Sequence, residues 1–214
     1  MKTLNCTLVI LLTVLFAACS AAPRILTKEL SPEEKYDLWQ KASTPGPFHQ
    51  KLQALIGKWD TAVTLRTEPD ALAQVSRGFA ECTWILGGRF VQESYHGVLA
   101  EMPFIGFGLL GYDNVLSRYV SIWADSFGTG LLVSTGEVDA DAKVLTLTGS
   151  FQDPLSGATK QARTVTRIID NDHHLFEMYE TDETGGEQKS LQISYSRRVN
   201  STKEMPGKPH PPTQ

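Results

Sequence analysis

Trp84-Ile85-Leu86-Gly87-Gly88-Arg89-Phe90, then Gly111-Tyr112-Asp113-Asn114, then Ile122-Trp123-Ala124-Asp125-Ser126 make one densely patterned stretch. Short apolar-aromatic runs alternate there with glycine or Asp-Asn turns, at the spacing of consecutive antiparallel strands. The pattern continues in both directions. Upstream, Trp59, Thr61, Val63 and Leu65 alternate with Asp60, Ala62, Thr64 and Arg66, a half-buried strand. Further strands are predicted near 74–86, 89–99, 104–113, 117–126, 130–139, 143–152, 160–170, 174–182 and 187–199, separated by turn formers such as Asp139-Ala140-Asp141, Asp170-Asn171-Asp172 and Gly185-Gly186. About ten sequential strands with no helix between them argue for an all-β, antiparallel up-and-down meander. Closing it into a barrel removes the exposed edges.

The flanks read differently. Lys2, the apolar run Leu8 to Phe16 and the small residues after it form an export signal over 1–18, too short to span a bilayer. Phe16-Ala17-Ala18-Cys19 is similar to a bacterial lipobox, which would make Cys19 the lipidated first residue of a membrane-attached protein. Phe16 stands where such a motif has leucine, so ordinary cleavage near Ala22 is the competing expectation. Residues 19–45 read as a tether with one helix, capped by Ser31 and started by Pro32-Glu33-Glu34, packed on the outside of the domain. A short capping helix follows from Phe48 to Ile56 and ends at Gly57. The barrel domain is expected over 46–199 and a proline-rich disordered tail over 200–214. Exported, the protein would sit in the periplasm or cell envelope.

Composition narrows the function classes. With Lys2 in the leader, 19 basic residues face 24 acidic ones, a net charge of −5. No basic cluster appears, and nucleic-acid binding draws most of its affinity from one, so nucleic acid is not expected as a partner. Cys82 is the one cysteine left in the domain, so no internal disulfide can form; alternating with Trp84 and Leu86, it reads as a core thiol. Oligomeric state is not legible.

His49-x2-Leu52-x2-Leu55-x-Gly57-x-Trp59, Leu86-Gly87-Gly88-Arg89-Phe90, Gly111-Tyr112-Asp113-Asn114, Trp123-x-Asp125-Ser126 and Asp153-Pro154-x-x-Gly157 occur in this order over residues 48 to 198. Together they resemble the bacterial DUF1579 family. The resemblance implies a lipocalin-like (calycin-like) barrel and no established activity. Such barrels set a Gly-x-Trp at the start of the first strand, behind a plugging helix, and cover the indole with an arginine from the last strand. Gly57-Lys58-Trp59 fits the first part. Arg197 continues the apolar face of Leu191, Ile193 and Tyr195, so it is expected over Trp59, closing the barrel floor.

A barrel of this size is either filled or holds one small ligand. Cys82/Trp84/Leu86, Leu145/Leu147/Phe151 and Leu191/Ile193 suggest an apolar lining. Three strands are ambiguous: Tyr119/Ser121/Trp123/Asp125 against Val120/Ile122/Ala124, Glu93/Tyr95 against Gln92/Ser94/His96, and Glu177/Tyr179 against Phe176/Met178. With the polar-aromatic faces inward, Trp84, Glu93, Tyr95, Tyr119, Trp123, Asp125, Glu177 and Tyr179 would bind a small, largely apolar molecule, with His49 capping the mouth. Two rival readings accompany this one. A filled barrel would serve as an interaction module, and paired carboxylates among Glu93, Asp125 and Glu177 would make an enzyme. No catalytic motif, no metal site and no cofactor is predicted; His173 and His174 are adjacent on a strand and point to opposite faces.

Overall fold

The computed structural model describes residues 29–66, 72–99, 101–154, 156–181 and 185–199. The export signal 1–18, Cys19 and the tail 200–214 lie outside the described residues. Ten strands run in chain order: β1 (Gly57–Leu65), β2 (Gln74–Ile85), β3 (Phe90–Leu99), β4 (Met102–Asp113), β5 (Arg118–Asp125), β6 (Leu132–Val138), β7 (Val144–Gln152), β8 (Thr159–Ile168), β9 (His173–Thr181) and β10 (Glu187–Arg197). Each pairs antiparallel with the next, and β10 pairs with β1, so the sheet closes into a barrel. Trp59 opposes Arg197, Thr61 opposes Tyr195 and Val63 opposes Ile193 at the closure.

Period-2 burial fixes the inner face. On β1, Trp59, Thr61 and Val63 are buried while Lys58, Asp60 and Ala62 are exposed. Following the register around the barrel, Cys82, Glu93, Gly108, Trp123 and Leu132 continue that face. It then passes through Leu147, Thr164 and Met178 to Leu191.

Aspartates organise the tight turns. Asp139 accepts from the amides of Lys143 and Val144, and Asp113 accepts from those of Val115 and Leu116. The left-handed residue of the 114–117 turn is Ser117.

At the N-terminal side, α1 (Pro32–Ser43) carries the expected Ser31 cap, which Glu34 completes into a capping box, and α2 (Pro47–Gln50) passes into a 3₁₀ turn, Lys51–Leu55, rather than one continuous helix. The apolar residues of this outer helix, Tyr36, Leu38 and Trp39, are all exposed. No residue of α1 is buried, and Tyr36 and Trp39 are 64% and 75% exposed. It is held by its last turn instead: Arg89 donates to the Ser43 carbonyl, and the Asn114 amide donates to the carbonyls of Lys41, Ala42 and Thr44. No helix among the described residues is long and apolar enough to cross a membrane.

Candidate functional site: the barrel lumen

The end of the barrel where α2 sits is closed by a cluster of aromatic and polar side chains. Trp59 is fully buried, donates from Nε1 to the Leu55 carbonyl at 2.9 Å and lies 4.1 Å beneath the Arg197 guanidinium. Arg197 in turn donates to the carbonyls of Ile56 and Asn171, so one side chain ties the helical plug, the first strand and the 169–172 turn together. Gly57 has φ +146°, and a Cβ there would run into the same guanidinium.

Three residues predicted to bind ligand belong to this floor. His49 accepts at Nδ1 from the Gly46 amide and meets Tyr112 edge-on, at the closed end rather than the mouth. Tyr119 donates to the Phe48 carbonyl, and burial pushes its phenol up to about 12. Trp84 donates to the Gln53 side chain at 2.8 Å. None of the three lines the cavity above.

That cavity has a volume of about 930 Å³. It extends from Leu55 at the floor to the loop 126–131 at the other end, where Phe127 and Leu131 line it and are also solvent-exposed, so the lumen opens there. Most of its wall is apolar, from Val63, Val91, Phe104, Leu147, Phe176 and Ile193 among others. A filled barrel would leave far less than the roughly 300 Å³ of an ordinary ligand pocket.

Pairs of glycines make room for the wall. Trp123 on β5 lays its indole across Gly106 and Gly108 of β4, and a Cβ at Gly106 would overlap the six-membered ring. Asp125 accepts from the indole Nε1 at 3.0 Å and fixes that pose. Tyr95 similarly lies over Gly78 and Gly97 and receives a hydrogen bond from Thr61 at 3.2 Å.

Glu93 is the polar centre of the lumen. Its Oε1 accepts from the Tyr195 hydroxyl at 3.1 Å, and its Oε2 has no partner among the described residues. Part of its surface faces the cavity, yet it lies deep in the protein. Burial pushes the carboxyl up to about 7, against the Tyr195 bond that pulls it down. Tyr195 is also stacked on His174 at 4.1 Å, and His174 meets Trp59 edge-on at 4.4 Å. Burial first, and the Arg197 charge second, push His174 down to about 3; its Nδ1 is buried without a partner. Cys82, beside Glu93 on β2, is buried with its thiol pushed far up, which fits the core thiol and leaves it inert.

Glu177 and Tyr179 correct the sequence expectation: they point away from the lumen. Phe176 and Met178 take the inner face, in phase with His174. Glu177 instead accepts from Lys189 at 3.0 Å and Arg167 at 3.4 Å; burial alone would raise its carboxyl, and these two cations hold it low. Tyr179 lies under Arg163 at 4.2 Å. The outer face here is a ladder of opposite charges on adjacent strands. A carboxylate dyad is not assembled either. Glu93 owes its shift to burial, not to a second carboxylate, and Asp125 is engaged by Trp123 and the Phe127 amide. His173 pairs with Asp170 on the outside, away from His174, and no cluster of metal-ligating side chains occurs among the described residues.

Fold and site together define a lipocalin-like barrel with a deep apolar lumen, plugged at one end by a helix and an Arg-over-Trp contact. The chain belongs to the family described as "Protein of unknown function (DUF1579)", whose model matches residues 44–197. No curated protein matches it in sequence. Among solved structures, it resembles Rv2717c from M. tuberculosis at 17% identity, covering 73% of this chain and all of that one, with a TM-score of 0.51. A structure of EF1p2_mFAP2b bound to DFHBI matches at 12% identity over 71% of this chain and 99% of the other, with a TM-score of 0.39. A redesigned β-barrel, b11L5F_LGL, matches at 11% over 70% and 96%, with a TM-score of 0.36. At 17% identity the likeness to Rv2717c is one of fold alone.

Proposed function

We propose that this protein binds a small, largely apolar molecule in the barrel lumen and carries it without transforming it. The observation that carries this reading is the cavity of about 930 Å³, apolar over most of its wall, with a few convergent polar groups at Glu93, Tyr195 and Asp125. That combination of volume and lining is what a small-molecule pocket needs. Trp123, Tyr95 and Phe104 supply aromatic walls; His49, Trp84 and Tyr119 hold the floor on which the ligand rests.

Native mass spectrometry of protein purified from its own host, without detergent or refolding, tests the reading. An extra mass lost on denaturation is expected. Gly106→Val should push the Trp123 indole into the lumen and lower the ligand-bound fraction at least tenfold, a cost of about 1.4 kcal/mol, with the fold retained. Apo protein throughout, in wild type and variant alike, would remove the carrier.

The same reading places the carrier outside the cytoplasm, exported by the signal 1–18 and held at a membrane surface through a lipidated Cys19. Cys19→Ser should release the protein from the membrane fraction without detergent. A variant that still requires detergent for extraction would leave no role for the lipid.

A further inference from the structure

We propose that the molecule carried in the lumen is an organic cation, an apolar body bearing one protonated amine that sits on the Glu93 carboxylate. This rests on the reading of the lumen as a ligand site and names what that site selects.

The first argument is the sign of the charge. Glu93, Asp125 and Glu180 line the cavity, and no lysine or arginine does so among the described residues. The one basic side chain in the lining, His174, is held neutral. An anionic ligand would enter a low-dielectric space whose only side chains able to carry charge near neutral pH are of its own sign, while a cation finds opposite charges.

The second argument is the unused valence of Glu93. Tyr195 occupies Oε1, and Oε2 has no hydrogen-bond partner in a residue that lines the cavity. A carboxylate buried among apolar groups without a counter-ion is costly, and the empty barrel meets that cost by keeping a proton on it. An ammonium group supplies the missing charge and the missing donors together.

The third argument is space. Glu93 and Trp123 sit on either side of Gly108, each its direct cross-strand neighbour. A Cβ there would come within 3.5 Å of the Glu93 Cβ and 3.2 Å of the indole ring. With no side chain at Gly108, the indole settles into that space beside Glu93, so an aromatic wall and a carboxyl line the same stretch of the cavity, a pairing suited to an ammonium.

The groups around Glu93 let its titration be read alone. Cys82 on β2, Tyr95 on β3 and Tyr195 on β10 are all pushed upward by burial, and His174 on β9 is pushed down to about 3. β4 contributes only Gly108 beside it, and Asp125 on β5 lies two residues beyond Trp123, toward the mouth, where Glu180 also lies.

Three probes with one apolar body separate the possibilities: 1-(aminomethyl)adamantane, 1-adamantanemethanol and 1-adamantanecarboxylate, titrated calorimetrically into the purified protein. At pH 8 the amine should bind at least tenfold more tightly than the alcohol, and the carboxylate most weakly. Moving to pH 6 protonates Glu93 and should weaken the amine about tenfold, leaving the alcohol unchanged. Glu93→Gln should erase the amine's advantage, whereas Glu180→Gln should keep it. If Glu93→Gln does not fold, the contrast between amine and alcohol across pH in the wild type decides alone. Amine and alcohol binding equally at pH 8 would overturn the cation and leave the carrier standing. None of the three binding, with apo protein from the host, would overturn both.

Discussion

Trp59→Ala is expected to destabilise the protein by about 3–5 kcal/mol, the range for removing a fully buried large aromatic side chain. The indole has no solvent-exposed surface, and it joins four parts of the molecule. Its N–H reaches the Leu55 carbonyl in the plug, one face carries Arg197 from β10, an edge meets His174 on β9, and its own backbone pairs with β2 and β10. Removal leaves a cavity at the barrel floor, a guanidinium without its aromatic surface and a plug carbonyl without its donor. Trp59→Phe keeps part of the volume and loses the hydrogen bond, so it should fall between, near 1–3 kcal/mol. Arg197→Lys keeps the charge but loses the fork that reaches Ile56 and Asn171 together, and should cost about 1–2 kcal/mol. Urea unfolding followed by circular dichroism measures all three. A loss below 1 kcal/mol for Trp59→Ala would mean that the floor is not a unit of stability.

The barrel was legible because each strand carries period-2 alternation between turns built from Gly, Asp and Asn, and because sequential hairpins leave a long sheet no better way to lose its edges. The strand ends predicted from pattern lie within two residues of those observed on every strand. The Arg197–Trp59 contact was also readable, since the family resemblance implied an arginine of the last strand over the first strand's tryptophan, and Arg197 shares the parity of Leu191, Ile193 and Tyr195. Alternation gives parity but not direction, and that is where the site reading stopped. On β9 a further signal was present. Arg163 and Arg167 alternate with the small Ala162, Thr164 and Thr166 on β8, and Lys189 stands on β10, so Glu177 had cationic neighbours available only on the outer face. Phe176 and Met178 then had to turn inward.

Depth was the other missing quantity. Trp84, Tyr119 and His49 have the right parity or the right helix face, yet they lie at the floor, because the plug occupies that level of the barrel and leaves the lumen to Glu93, Tyr95, Trp123 and Asp125. Arg89 and Asn114 show a third limit. Both sit in turns that look self-sufficient, and their side chains reach back about 46 and 70 residues to hold α1. No local pattern encodes such a contact.

Glu93 and His174 are expected to shape the pH dependence of stability in opposite directions, by about 3 and about 5 kcal/mol respectively at 1.36 kcal/mol per pKa unit. The folded-state pKa of Glu93, about 7, lies above its ordinary 4.5. Between those values the folded protein keeps a proton that the unfolded chain has released, so stability falls as pH rises through the interval. His174 is the reverse: its folded value of about 3 lies below the ordinary 6.5. There the unfolded chain holds the extra proton, so the stability of the neutral ring is complete above 6.5 and is lost as pH falls toward 3. The two slopes oppose each other between 4.5 and 6.5 and leave a plateau in the wild type. Glu93→Gln should remove the descending arm, so that stability climbs without interruption from pH 3 to 6.5 and exceeds the wild type above pH 7. His174→Phe, which keeps an aromatic ring against Tyr195, should remove the ascending arm and expose a decline from pH 4.5 to 7. Salt-bridged carboxylates such as Asp60 and Glu187, held low by Arg198 and Arg163, add an acid-side loss common to all three proteins, so it cancels in the differences. Urea midpoints at half-unit pH steps resolve the arms, and parallel profiles in the three proteins would show that neither group holds the proton assigned to it. An organic cation bound at Glu93 lowers that carboxyl's pKa in the folded state, so saturating 1-(aminomethyl)adamantane should flatten or invert the Glu93 arm and leave the His174 arm in place.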